Sequence, residues 1–207
     1  MKLTKKKVFV TALALCLVAI LSVGTLAWFQ AADQVENYFQ VTTDGIGGGA
    51  DFSLDLFEHK VVDGALTADE VKTNTYEHII PGDYLLKDPT LRNSGEYDQW
   101  VRVKITLSEY AKWEAALGAD YDFSQCFDGL NASWKLDEST KGTETLVFYY
   151  QKKLVSGYES KLFDAFMIPS EFTVENMPTE FKLTIVGEAI QADNTGATAE
   201  AAFTLWS

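Results

Sequence analysis

Val101-Arg-Val-Lys-Ile-Thr-Leu107 alternates apolar with charged or polar residues at a period of two, so Val101, Val103, Ile105 and Leu107 share one face of an extended strand. Such a strand needs a second layer to cover that face. The alternation returns in Phe52-Ser-Leu-Asp-Leu56 and in Phe181-Lys-Leu-Thr-Ile185. Leu146-Val-Phe-Tyr-Tyr150 is continuously apolar and aromatic, which predicts a short strand covered on both faces. Further strands are predicted at 38–42, 76–80, 84–87 and 162–168. Turn chemistry separates them at Pro81-Gly82, Asn93-Ser94-Gly95, Asp128-Gly129, Lys141-Gly142 and Ser156-Gly157. With no βαβ rhythm, the pattern predicts an all-β domain over residues 50–207: a two-sheet antiparallel sandwich of jelly-roll or Greek-key kind.

Two short peripheral helices are expected. Ser108 can cap a segment reaching Leu117, with Tyr110, Trp113 and Leu117 on one face. Thr198 can cap a segment whose Ala199, Ala202, Phe203 and Trp206 form an apolar stripe.

The N-terminus predicts where the chain goes. Lys2, Lys5, Lys6 and Lys7 precede the uncharged run Val-Phe-Val-Thr-Ala-Leu-Ala-Leu-Cys-Leu-Val-Ala-Ile-Leu-Ser-Val-Gly-Thr-Leu-Ala-Trp-Phe, residues 8–29. A basic stretch followed by an apolar one is a signal for export. Thr25 and Ala27 stand at the minus-three and minus-one places of a peptidase site, so residues 1–27 read as a signal peptide cut between Ala27 and Trp28. As a helix, the run would be about 33 Å long, enough to cross a bilayer. If it is kept as an anchor, this segment is the chain's contact with the membrane. The expected location is secreted, in the extracellular matrix or at the cell surface.

Charge and cysteine content narrow the function classes. The chain holds 17 basic and 30 acidic side chains; removal of the four leading lysines leaves 13 against 30. That balance argues against nucleic acid as a partner, which wants a basic face for its phosphates. It argues equally against docking on anionic lipid. Cys16 falls within the signal run, so Cys126 stands alone in the exported part and no internal disulfide is expected, although the export route would allow one.

Four places carry a resemblance to a known family. Gly24-Thr25-Leu26-Ala27-Trp28-Phe29 resembles the cleavage region handled by the SipW type of signal peptidase, which is thereby the expected processing partner. Ile80-Pro-Gly-Asp83, Lys87-Asp-Pro89, Leu91-Arg-Asn93 with Gly95, and Trp100-Val-Arg-Val103 resemble the core motifs of the TasA and camelysin family of secreted bacterial proteins. Phe148-Tyr-Tyr150 with Leu154 and Gly157, and Gly187-Glu-Ala-Ile-Gln-Ala192, resemble later segments of SipW-dependent relatives. The resemblance implies a jelly-roll subunit of the extracellular matrix or biofilm that self-associates into oligomers or fibres by donating its mature N-terminal strand to a neighbour. Residues 28–49 would then be the donor segment and its hinge, with Trp28, Phe29, Val35, Tyr38, Phe39 and Val41 as the assembly residues and Gly45-Ile-Gly-Gly-Gly49 as the hinge. The other reading of the same residues is that they pack on their own sandwich as its first strand.

Catalytic and ligand chemistry has fewer handles. No catalytic residue is assigned and no cofactor is expected, weak calcium or zinc binding being left open. Camelysin-like metalloprotease activity is a third function class. Its metal would have to be assembled from two separate pairs, Glu58-His59 and Glu77-His78, because the chain has no His-Glu-x-x-His helix. Asp120-Tyr-Asp122-Phe-Ser124 begins like a calcium loop but has Gln125 where that loop needs glycine. The second class is a carbohydrate- or surface-binding module, in which Trp100, Trp113, Trp134, Tyr149 and Tyr150 would form the platform; packing in the core is the commoner fate of such side chains. Arg102 is expected to pair with an acid across the sheet.

Overall fold

The computed structural model describes residues 31–34, 52–173 and 175–205. The signal run, the cleavage site at Ala27 and Trp28, and the assembly residues Phe29, Val35, Tyr38, Phe39 and Val41 lie outside the described residues. So do the glycine hinge and the strand expected at 38–42.

The described chain is mostly β. Its strands are β1 (Ala31–Gln34), β2 (Leu54–Val62), β3 (Ala65–Val71), β4 (Tyr84–Leu86), β5 (Thr90–Asn93), β6 (Gln99–Leu107), β7 (Phe127–Asp128), β8 (Trp134–Leu136), β9 (Thr145–Tyr150), β10 (Glu159–Lys161), β11 (Ala165–Met167) and β12 (Leu183–Gln191). The helices are α1 (Tyr110–Leu117) and α2 (Ala199–Thr204). All strand pairings are antiparallel.

Three hydrogen-bonded sheets form where two were expected: β1-β12-β6-β9-β8, β10-β5-β2-β3 and β4-β11-β7. Proline accounts for the extra division. Thr90 pairs with Lys161 and Leu86 with Ala165 in one continuous register. Between them Lys87 N donates to Asp164 O (3.0 Å) and Leu162 N to Pro89 O (2.9 Å) in that same register. Pro89 has no N–H to return, so the ladder breaks there while the ribbon runs on. The two smaller sheets are therefore halves of one layer.

That layer packs on the five-stranded sheet. Leu54, Leu56 and Leu91 share a single core with Val101, Val103, Ile105, Leu107, Leu146, Phe148 and Ile185, extended by Phe127 and Phe166. The period-two reading of β6 holds along its length, with Val101, Val103, Ile105 and Leu107 all fully buried. Gly187 on β12 lies against the facing layer: a Cβ there would stand 3.1 Å from Leu91 Cδ2 and 3.4 Å from Leu54 Cδ2.

Several local expectations are corrected. In β9, Leu146 and Phe148 are buried while Thr145, Val147, Tyr149 and Tyr150 are only half-buried, so the strand is covered mainly on one face. Residues 76–80 form no strand; His78 takes a left-handed conformation (φ 59°) and ends any extended run. Ser108 does not cap α1. It pairs instead with the chain before β12, its N–H donating to Lys182 O and its hydroxyl accepting from Lys182 N, and Glu109 enters the helix in a left-handed conformation. Thr198 does cap α2, its hydroxyl accepting from Ala201 N.

The helices cover different faces. Tyr110 and Trp113 of α1 enter the main core, where the Trp113 ring meets Phe172 and Phe181 edge-on at 4.9 and 5.1 Å. α2 lies on the opposite face of the five-stranded sheet and buries Trp100 and Ile190 beneath Ala199, Ala202 and Phe203.

Candidate functional site

Two places stand out as candidate sites, the first formed by residues 31–34 within the expected donor segment and the second holding the expected metal pair Glu58 and His59. One is the outer edge of the five-stranded sheet; the other is a buried polar cluster beneath the segment that joins β3 to β4.

At the edge, β1 pairs with the middle of β12, Ala31 opposite Ala189 and Gln34 opposite Val186. β12 is anchored on its other side by nine register pairs to β6, from Leu183–Leu107 to Gln191–Gln99. β1 is thus a four-residue strand laid on a nine-residue one. Its chain goes on through residues 35–53 before β2 begins.

The polar cluster is built on β2. Leu54 and Leu56 point into the core, and the same alternation carries Glu58 inward, where it is 5 % exposed. Its Oε1 receives Lys87 Nζ at 2.5 Å and its Oε2 receives Asn74 Nδ2 at 3.1 Å. Asn74 Nδ2 also donates to His59 O (2.9 Å), and Asn74 Oδ1 accepts from Val61 N (2.9 Å). Beside it, Asp88 takes the place in the β2 ladder that Pro89 interrupts: its Oδ1 accepts from His59 N (2.8 Å) and its Oδ2 meets His59 Nδ1 (2.6 Å). Tyr76 donates its hydroxyl to Leu86 O. Burial, followed by the nearby charges of Glu58 and Asp88, pushes the Tyr76 phenol up. Every polar atom named here has a partner, which is what makes so dry a set of charges tolerable.

The same strand's outer face carries a second group. Arg92 on β5 donates to Glu70 on β3 (2.5 Å) and Glu159 on β10 (2.7 Å), and its guanidinium lies 4.4 Å over the Phe57 ring. The hydrogen bond from Arg92 holds the Glu70 carboxyl below its usual range. Asp55, Phe57, Glu70, Val71, Lys72 and Arg92 line a shallow cleft of about 230 Å³ there.

The sequence-predicted metal pairs do not come together. Glu58 is turned to Lys87 and Asn74, and His59 to Asp88. Glu77 and His78 are exposed on the connecting segment. Among the described residues no three His, Cys, Asp or Glu side chains are grouped to hold a metal ion. Asp122, from the calcium-like stretch, accepts from Ser124 N and Ser124 Oγ as the cap of a short 3-10 turn. The aromatic platform is not assembled either, since Trp100, Trp113 and Trp134 are buried and only Tyr149 and Tyr150 are partly open. Arg102 pairs with Glu188 across the sheet at 2.5 Å, as expected, and Lys104 joins the same carboxylate at 2.8 Å.

Asn74, Lys87 and Asp88 were missed as site residues. For Lys87 and Asp88 the only signal was Lys87-Asp-Pro89, a motif whose proline breaks the ladder just where the two polar side chains turn inward, and Asn74 had none. Asn93 of the neighbouring motif is fully buried and ties two loops together, its Nδ2 donating to Tyr97 O and Leu154 O at 2.8 Å each, its Oδ1 accepting from Gly95 N.

No family model, curated protein or solved structure matches the chain. The likeness to the TasA and camelysin family rests on the motifs quoted above. No helix among the described residues is long and apolar enough to cross a membrane.

Proposed function

We propose that the chain is an exported structural subunit of the bacterial matrix or cell surface, similar to TasA, which assembles head to tail by exchange of its N-terminal strand. One observation carries the reading: the segment just past the expected cleavage site forms a short strand on the sheet edge, pairing with the outer side of β12. A strand held there by backbone hydrogen bonds can be supplied by a neighbouring copy in the same register, because the pairing partner is identical. The residues 35–53 that follow it would reach at most about 65 Å when fully extended, enough to carry the strand to an adjacent subunit. Exchange without rotational closure gives a filament. In this reading the two packed layers follow a jelly-roll path, the signal is removed by a peptidase of the SipW type, and the intramolecular pairing is the closed form of the subunit.

The test is to prepare the protein starting at Trp28 and a second form starting at residue 47, then examine both by sedimentation, thermal melting and electron microscopy. Fibres from the first and a folded monomer from the second are the expected results. A second form that unfolds or aggregates would mean that residues 28–46 are an integral strand of their own domain and would overturn the exchange mechanism.

A further inference from the structure

We propose that Lys87 and Asn74 become joined by an isopeptide bond formed within the folded chain, with Glu58 carrying the protons. The observation is the arrangement of the three side chains. An amine and a carboxamide are held by the two oxygens of one buried carboxylate, Lys87 Nζ on Oε1 (2.5 Å) and Asn74 Nδ2 on Oε2 (3.1 Å). A lysine–glutamate pair alone would be an ordinary buried ion pair, and an asparagine alone an ordinary hydrogen-bond partner. Together they place a nucleophile, an acyl group and a proton carrier in one largely buried site.

The remaining contacts favour transamidation. Lys87 Nζ attacks Asn74 Cγ, the new Nζ–Cγ bond forms, and the Cγ–Nδ2 bond breaks. As the tetrahedral adduct develops, negative charge collects on Asn74 Oδ1, which already accepts the Val61 N–H at 2.9 Å. Two of the three protons of the lysine ammonium pass through the Glu58 carboxylate to Nδ2, which departs as ammonium. Charge and atoms balance: an ammonium and a primary amide give a secondary amide and an ammonium ion, with no oxidant, metal or other reactant. The second hydrogen bond of Nδ2, to His59 O (2.9 Å), holds the amide so that its nitrogen faces Glu58. Tyr76, half-buried beside Glu58, helps to close the site from the strap side.

The place in the fold suits such a bond. Glu58 is fixed in the centre of β2, Lys87 directly follows β4, and Asn74 lies three residues beyond β3. Residues 72–83 between them form no regular element. The bond would fasten this irregular segment to the ribbon in a domain whose one described cysteine is free.

The chain's own cleavage pattern makes the test direct. The full-length protein is purified in its folded form, then denatured and digested with trypsin, and the peptides are weighed. Trypsin cuts after Lys72, Lys87 and Arg92, so an unlinked chain releases 73–87. A linked Lys87 resists cleavage, and the expected product is 73–92, lighter by one ammonia, about 17 Da, than the sequence requires. Release of 73–87 at its unmodified mass, or with Asn74 merely hydrolysed to the acid, overturns the proposal. Lys87→Arg keeps a cation on Glu58 without a usable nucleophile, and its chain is expected to be cut after position 87. A species lacking ammonia that persists in this variant would overturn the assignment to Lys87.

Discussion

At the residue scale the polar groups of the interior are explained by what each one touches, and Cys126 is the simplest case. It is buried, with Sγ 3.0 Å from the Tyr121 hydroxyl, and burial pushes its thiol from 9.0 up to about 11. An acid whose folded value is raised favours the folded state fully below its unfolded value, and that contribution is lost as pH rises. The folded chain therefore gives up stability from about pH 9 through 11, on the order of 1 kcal/mol by pH 10 from this group alone. In urea unfolding of the wild type and Cys126→Ser, the wild type is expected to lose ground to the variant between pH 8 and pH 10. A stability difference that stays constant over that range would show that the thiol titrates as it does in the unfolded chain. That Cys126 stands alone in the exported part was legible in the sequence; its burial against Tyr121 was not. The Lys87, Glu58 and Asn74 set was not, because nothing in the spacing of positions 58, 74 and 87 says that a strand, a strap and the end of another strand converge.

At the element scale, period-two alternation was the most reliable signal, since it reports directly which face a strand buries. It located β6 and β12 and the burial of one face of β2. It did not reveal β3, whose Ala65, Leu66, Ala68, Asp69 and Glu70 are exposed and show no buried face to generate a pattern. The Asp63-Gly64 pair that turns β2 into β3, both residues at positive φ (50° and 74°), was the available clue. The division into three sheets was also illegible, because it depends on a proline interrupting a ladder between residues far apart in sequence. Layer-to-layer distance is set at Gly187, where β12 meets Leu54 and Leu91. Gly187→Val would drive two methyl groups into those side chains, and overpacking of this kind costs about 1–3 kcal/mol. The midpoint of urea unfolding should fall accordingly with far-UV circular dichroism unchanged; a midpoint equal to wild type would mean that the layers can separate there without loss.

At the scale of the whole molecule, charge decides how readily copies meet. With 13 basic and 30 acidic side chains once the signal is removed, every subunit of the proposed assembly carries the same sign. Strand exchange asks two such surfaces to approach while each strand leaves its own edge, so the encounter is opposed by long-range repulsion even though the final pairing is backbone to backbone. The Debye length falls from about 30 Å at 0.01 M salt to about 8 Å at 0.15 M, shorter than the dimensions of a subunit. Assembly of the protein starting at Trp28 should accordingly be slow in 0.01 M sodium chloride and several-fold faster at 0.15 M, followed by light scattering at fixed pH and protein concentration. The intramolecular pairing of β1 with β12 involves no second charged body, so thermal melting of the monomer should respond far less over the same range. An assembly rate that fell with added salt would point instead to contacts between opposite charges on the two copies, and would remove the edge of β12 as the joining surface.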